Sequence, residues 1–274
     1  MKICVAQTRP ITGDIQSNID NHKKLIDLAV ANGTDTVIFP ELSLTGYEPK
    51  LAKELATDQD DSRFDDFQKI SDTKQITIGV GVPIKNKTGN CISMVIFQPH
   101  QARQMYSKQY LHTDEEPFFV SGQQFTGLIG ARANIAPAIC YELSVPEHSE
   151  NAFKSGAEIY IASVAKSASG VEKASHSLAD IAGKYSMTVL MSNCVGSCDD
   201  FESGGRSSVW NDQGGLVGQL DDTSEGILVY DIDSQALITE IIWGHWSWLI
   251  RPASWINSDW PVVLFKVYFR QVPW

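Results

Sequence analysis

From Lys2 to Ser192, short runs rich in Val, Ile and Phe alternate with longer segments of helical spacing. A chain patterned this way buries a sheet under helices and sets strand ends beside helix starts. Lys2–Gln7, Thr36–Phe39, Ile76–Val82, Ile92–Gln98 and Arg103–Lys108 read as strands, with the turn-rich Asn86–Asn90 between the third and fourth. Ile135–Cys140, Ile159–Val164 and Met187–Ser192 read likewise. The spacing predicts helices from a cap at Ser17 or Asn18 to about Asn32, then over Arg63–Lys74, Glu147–Lys154 and Lys173–Tyr185, with Gly33 and Gly156 as stops. Short strands at Ser207–Trp210, Leu216–Leu220 and Gly226–Asp231 then follow one another between Gly and Asp turns. The expected class is α/β, with either one mixed sheet or two sheets covered by helices.

The chain has 274 residues and is 43% hydrophobic, ample for a buried core. Its 22 Lys and Arg against 33 Asp and Glu give a net charge of −11. That balance argues against nucleic acid or an anionic membrane as partner, since both need clustered cations. The first apolar run, Ile3–Ala6, is too short for an export signal. The apolar stretch Ile241–Ile250 is too short to span a bilayer. Five cysteines form no regular framework, so a cytoplasmic location with reduced thiols is expected. Cys194 and Cys198 lack two further ligands at metal-site spacing and read as buried or loop thiols, so no metal is expected.

Three strand ends carry reactive side chains. Glu41 stands in VIFPELSLTGY, Lys108 in YSKQYLHTDEEPFF and Cys140 in IAPAICYELSVPEH. Open α/β sheets present ligands at strand carboxyl ends, so these three could converge. A thiol at a strand-to-helix turn is expected to gain thiolate character from the helix N-terminus. A carboxylate can serve as its base, and a lysine can stabilise an oxyanion. Taken singly, each has a blander reading: a packed Cys, a loop Glu, a surface Lys.

Together with their flanks, the segments PELSLTGY, KQYLHTDEEPFFVSG and ICYEL-x-VPE resemble the carbon–nitrogen hydrolase (nitrilase) superfamily. GAEIYIASVA, MSNCVG and GGRSSVWNDQGGLVGQ extend the resemblance to about Asp233. It implies a four-layer α-β-β-α sandwich and hydrolysis of a non-peptide C–N bond, with no cofactor. Cys140 would be the nucleophile and Glu41 the general base. Lys108, with the backbone N–H of Tyr141, would hold the oxyanion. A second glutamate of the family falls on Glu115 or Glu116, and the spacing back from Gly122 favours Glu115. The implied path is a thioester that water hydrolyses, with release of ammonia or an amine.

Ser144 stands where many small amidases of the family have Arg, which weakens a dicarboxylate ω-amidase assignment. Tyr141-Glu142 matches only half of the Trp-Glu pair favoured by nitrilases. A small amide is therefore the expected substrate, with a nitrile second and a non-catalytic binding member of the family third. Tyr47, His112, Phe118 and Lys166 flank the motifs as substrate-binding candidates; Lys166 could meet an anionic substrate or sit in solvent. Asp199, Asp200 and Glu202 read as a solvated loop.

Six of the seven Trp lie at or after Trp243. The resemblance fades there, so the expected division is a hydrolase domain over 1–240 and a Trp-rich extension over 241–274. Trp is enriched where an apolar body meets a polar edge. The extension is expected to be an interface segment of a homodimer or higher homo-oligomer, with membrane contact a second alternative and a segment foreign to the family domain a third.

Overall fold

Strands covered on both faces read as continuous apolar runs, and the buried β1 run Ile3–Ala6 is one of these. The computed structural model describes residues 1–123, 127–130 and 133–242. The strands are β1 (Lys2–Gln7), β2 (Thr36–Ile38), β3 (Thr77–Asn86), β4 (Gly89–Phe97), β5 (Gln104–Ser107), β6 (Ile135–Ile139) and β7 (Ile159–Ser163). They continue with β8 (Thr188–Ser192), β9 (Val195–Cys198), β10 (Phe201–Gly204), β11 (Ser208–Trp210), β12 (Leu216–Gln219), β13 (Glu225–Asp231) and β14 (Leu237–Ile242). The α-helices are α1 (Ile15–Ala31), α2 (Ala52–Leu55), α3 (Asp65–Lys74), α4 (Pro146–Lys154) and α5 (Ala168–Tyr185).

Among the described residues the larger sheet has the order β14-β13-β1-β2-β3-β4-β5, and the smaller the order β12-β11-β8-β7-β6. Each has a parallel centre, β1-β2-β3 in one and β6-β7-β8 in the other. Antiparallel strands extend both. The sheets pack face to face: Ile3, Val5, Ile38 and Met94 of the larger meet Ile135, Ile161, Leu190 and Val209 of the smaller. The other face of the larger sheet is covered by α1 and α3, through Ile19, Ile26 and Phe67. The other face of the smaller sheet is covered by α4 and α5, through Ala152, Val171 and Leu178. The result is the four-layer α-β-β-α sandwich, with two sheets rather than one.

Local differences from the expected elements have local causes. Asp14, not Ser17 or Asn18, caps α1 and accepts from the Ser17 N–H at 3.1 Å. Asn18 is buried inside the helix, its side-chain amide bonded to the carbonyls of Ile11 and Leu44. α5 starts five residues before Lys173, because Ser167 caps it by accepting from the Gly170 N–H. Asp199-Asp200 forms the two-residue turn of the β9–β10 hairpin, with Asp199 at φ +40°, whereas Glu202, expected in the same solvated loop, stands in β10. β14 runs to Ile242, pairing with Glu225, two residues past the expected domain edge at 240. The Trp-rich segment from Trp243 onward lies outside the described residues. Among the described residues no helix is long and apolar enough to cross a membrane.

Candidate active site

Glu41, Lys108 and Cys140 each follow the last residues of a strand, and the face-to-face packing brings those ends together. Glu41 lies three residues past β2, on a loop that crosses β3 at Gly81. A Cβ on Gly81 would sit 2.4 Å from both the Pro40 carbonyl oxygen and the Leu42 nitrogen, so only glycine permits this approach. The Ser163 hydroxyl donates to the Phe39 carbonyl at 2.8 Å and ties the loop to the opposite sheet. The Ala165 N–H donates to Glu41 Oε2 at 3.1 Å.

Lys108 follows β5 and is fully buried. Its Nζ donates to Glu41 Oε1 at 2.9 Å and to Glu115 Oε1 at 2.6 Å. Glu115 is further fixed by the Tyr47 hydroxyl at 2.9 Å and the His112 N–H at 2.8 Å. Glu116 is exposed, so the structure brings Glu115 and not its neighbour to the lysine. Burial works against the ammonium, but the carboxylates of Glu41 and Glu115 outweigh it and hold Lys108 protonated. Burial raises the Glu41 carboxyl above its ordinary range, with Lys108 opposing in part. A raised carboxylate is a better base.

Cys140 opens a short 3₁₀ turn, Cys140–Ser144, at φ +46°. Left-handed backbone at a non-glycine residue stores strain of about 1–3 kcal/mol, and here it turns the nucleophile candidate out of β6. The thiol and the Glu41 carboxyl are close enough for each to act on the other's protonation. The expected thiolate is not the resting form. Burial, then Glu41, push the thiol up to about 11, against the pull of Lys166 and Lys108. A five-residue turn carries too little dipole to reverse this. Cys140 therefore rests as a thiol.

Cys140 and Glu115 line a cavity of about 420 Å³. Tyr47, His112, Tyr141 and Lys166 all line it, and Phe118 stands at its edge with 38% exposure. His112 and Tyr141 meet edge to face at 5.2 Å. The hairpin turn Asp199-Asp200 also lines the cavity, a contribution that short-strand patterning does not reveal.

Glu142 is the residue the motifs leave unexplained. Its carboxylate accepts from the N–H groups of Ile139 at 2.7 Å and Gln109 at 2.6 Å, and from the Tyr106 hydroxyl at 2.5 Å. One buried carboxylate thus binds the nucleophile turn to the loop after Lys108. Behind it, His148 Nε2 lies 2.8 Å from the Tyr106 oxygen and Nδ1 2.8 Å from the Tyr160 oxygen. Burial lowers His148 to about 4, so the ring is neutral. Tyr106 donates to Glu142, so Nε2 carries the ring proton and Tyr160 donates to Nδ1. No single sequence segment holds this group; its members stand on β5, the Cys140 turn, α4 and β7.

Burial pushes Glu142 from 4.5 up to about 7, against its hydrogen bonds. The folded chain then keeps a proton that the unfolded chain releases between those values. The group's stabilising contribution is full below about pH 4.5 and is lost as pH rises through about 7, a change of roughly 3 kcal/mol. Glu142→Gln cannot titrate. Its Tm is expected to lie below wild type at pH 5 and to gain on wild type by pH 8. Thermal melts in which the difference stays constant from pH 5 to 8 contradict this.

A family model for carbon-nitrogen hydrolase matches residues 2–239. The chain is 24% identical over 240 residues to a "Hydrolase in agr operon" of Staphylococcus aureus, covering 85% of this chain and 91% of that one. It is 25% identical over 163 residues to an (R)-stereoselective amidase of a Pseudomonas species, covering 59% of each. Among solved structures, an amidase from Nesterenkonia sp. AN1 superposes with a TM-score of 0.77 at 22% identity, over 85% of this chain and 90% of that one. That amidase was solved with the acetamide moiety of fluoroacetamide covalently added at its active-site cysteine. The fold is that of nitrilase-superfamily amidases, and the chain belongs to the carbon–nitrogen hydrolase family.

Proposed function

We propose that this protein hydrolyses a small amide through a thioester on Cys140. The observation that carries the reading is that Lys108 bonds both Glu41 and Glu115, and that Glu115 and Cys140 line one cavity. Glu41 takes the thiol proton as Sγ adds to the amide carbon. The Lys108 ammonium, with the Tyr141 N–H, holds the oxyanion. Glu41 returns the proton to the departing nitrogen, the C–N bond breaks, and ammonia or an amine leaves a thioester. Glu41 then takes a proton from water, the resulting hydroxide attacks, and the thiol is restored as the acid departs. Glu115 is a positioning residue: it touches Lys108 rather than the reacting atoms. Splitting the hydrolysis in two is what the covalent intermediate achieves. Every step runs on side chains of this chain, with no cofactor assigned a part.

Ammonia release over a panel of short amides, nitriles and carbamyl compounds tests the reading. Amides are expected to be turned over fastest. Preferential nitrile turnover would replace the substrate class, and no release from any compound would leave a binding member of the family. Glu41→Gln keeps the shape and the Lys108 contact but cannot accept a proton. Its kcat is expected to fall about 10²–10⁴-fold, with KM within a few-fold of wild type. A kcat within threefold would remove Glu41 as the base.

The same reading takes the protein to be a cytoplasmic homodimer that keeps its five free cysteines reduced and pairs through the segment after Ile242. The solution mass of a chain truncated after Ile242, which preserves β14, is the test: a monomer is expected, and an unchanged oligomer would remove this contact.

A further inference from the structure

We infer that His22 is a positioning residue for the general base: through Ser43 it fixes the turn that carries Glu41. The inference rests on the reading of Glu41 as the base and extends it to a helix residue that does not line the cavity.

The buried face of α1 carries the argument. Ile15, Ile19, Leu25, Ile26 and Ala29 are apolar and cover the larger sheet. Asn18 and His22, one turn apart on the same face, are polar and almost wholly buried. An aliphatic side chain would cover the sheet as well, and a buried polar one destabilises unless its bonds are made. Both residues grip one loop, at consecutive positions. Asn18 Nδ2 donates to the Leu44 carbonyl at 3.0 Å. His22 Nε2 lies 2.9 Å from the Ser43 hydroxyl oxygen, and Nδ1 lies 2.7 Å from the Asn18 carbonyl oxygen. A carbonyl only accepts, so Nδ1 carries a proton. Burial lowers His22 to about 3, so the ring is neutral and Nε2 accepts from Ser43. The single hydroxyl proton of Ser43 is thereby committed to His22, while its oxygen accepts from the Gly81 N–H at 3.4 Å.

The loop held this way is the one whose shape sets Glu41. Leu42, between Glu41 and Ser43, stands at φ +50°. A non-glycine residue keeps that left-handed backbone only where its surroundings over-determine it. The Ser43 N–H donates to the Pro40 carbonyl at 3.2 Å, and the Leu44 N–H to the Gly81 carbonyl at 2.9 Å. The His22 ring also stacks on Phe39, with centroids 4.1 Å apart. One imidazole thus touches the chain before and after Pro40–Leu42, at Phe39 and at Ser43. On the other side of the turn, the Glu41 carboxylate meets Lys108 and the Ala165 N–H. Misplacing a catalytic group by about 1 Å costs up to about a hundredfold in rate, even when the change is remote from the chemistry.

The test is a mutant cycle read by ammonia release from a short amide, with Glu41→Gln measured beside it. His22→Phe keeps the stacking on Phe39 and removes the acceptor. Ser43→Ala breaks the same bond from its other end with little loss of packing. Each is expected to lower kcat about tenfold with KM within about threefold of wild type. Because both break one bond, the double variant should be no more than about threefold slower than the slower single. His22→Gln, which offers an amide oxygen near the place of Nε2, should return kcat to within about threefold of wild type. A Ser43→Ala kcat within threefold of wild type, losses that fall on KM, losses that multiply in the double variant, or no recovery in His22→Gln overturns the inference. Ser43→Ala decides alone if His22→Phe does not fold. A slow Glu41→Gln beside fast His22 and Ser43 variants sinks this inference and leaves the base reading intact. A fast Glu41→Gln, or an enzyme that turns over no amide, fails the function reading instead, and the placement is then read without turnover. In a crystal structure of Ser43→Ala, Glu41 is expected to lose its contact with Lys108 or with the Ala165 N–H, and an unmoved carboxylate overturns the inference.

Discussion

Cys140→Ala is expected to abolish turnover, lowering kcat at least about a thousandfold with the fold intact. The change removes one sulfur from a residue that is only partly buried and lines a cavity, so little packing is lost. Alanine meets the same left-handed backbone that cysteine already occupies, so no new strain arises. Glu41 loses the thiol but keeps Lys108 and the Ala165 N–H. Tm is therefore expected to change by no more than a few degrees. Ammonia release beside a thermal melt checks both halves. Activity within tenfold of wild type would show that the chemistry runs elsewhere.

Lys108→Met is expected to lose activity and stability together. On the proposed mechanism it removes the cation that holds the oxyanion, a loss of about 10²–10³ in kcat for a donor of this kind. It also leaves Glu41 and Glu115 buried without the ammonium between them. Breaking a buried ion pair by removing one partner costs about 3–5 kcal/mol, or a fall in Tm of roughly 6–20 °C for a domain of this size. Burial, no longer opposed by Lys108, then raises Glu41 further, so the deficit is expected to shrink as pH falls and Glu41 takes up a proton. Melts of the variant from pH 8 down to pH 5 read this directly. A deficit that grows toward pH 5 would mean that Lys108 is not balancing buried negative charge. Glu142 offers the contrast: its carboxylate is held chiefly by uncharged donors, and the penalty for its charge is already paid in the native protein.

The strand-end positions of Glu41, Lys108 and Cys140 were legible because the strands read from the sequence end at Phe39, Lys108 and Cys140, within one residue of the observed strand ends. The choice of Glu115 over Glu116 followed from spacing, and burial separates the two in the structure. The four layers followed from the family resemblance; composition and periodicity alone left one sheet or two. Other features have no local signature. The φ of +46° at Cys140 is imposed by the turn that Glu142 fastens. The start of α5 was misplaced because Ala168-Ser169-Gly170 is small and polar, and its helix depends on the Ser167 cap. The β9–β10 strands are four residues each and centred on an acidic turn, too short for alternation to register. The thiol's protonation was misjudged because burial beside Glu41, a property of the assembled sheets, outweighs the turn's dipole.

The acyl–Cys140 intermediate is the centre of the account, and intact-mass spectrometry of wild type, acid-quenched during turnover of a short amide, measures it most directly. Acid halts the water step, so the thioester present at the quench persists. The account predicts an added mass equal to the amide less ammonia, mapped to the Cys140 peptide and absent from Cys140→Ala. Ammonia release with no adduct, or an adduct on Cys4, Cys91, Cys194 or Cys198 instead, would contradict it.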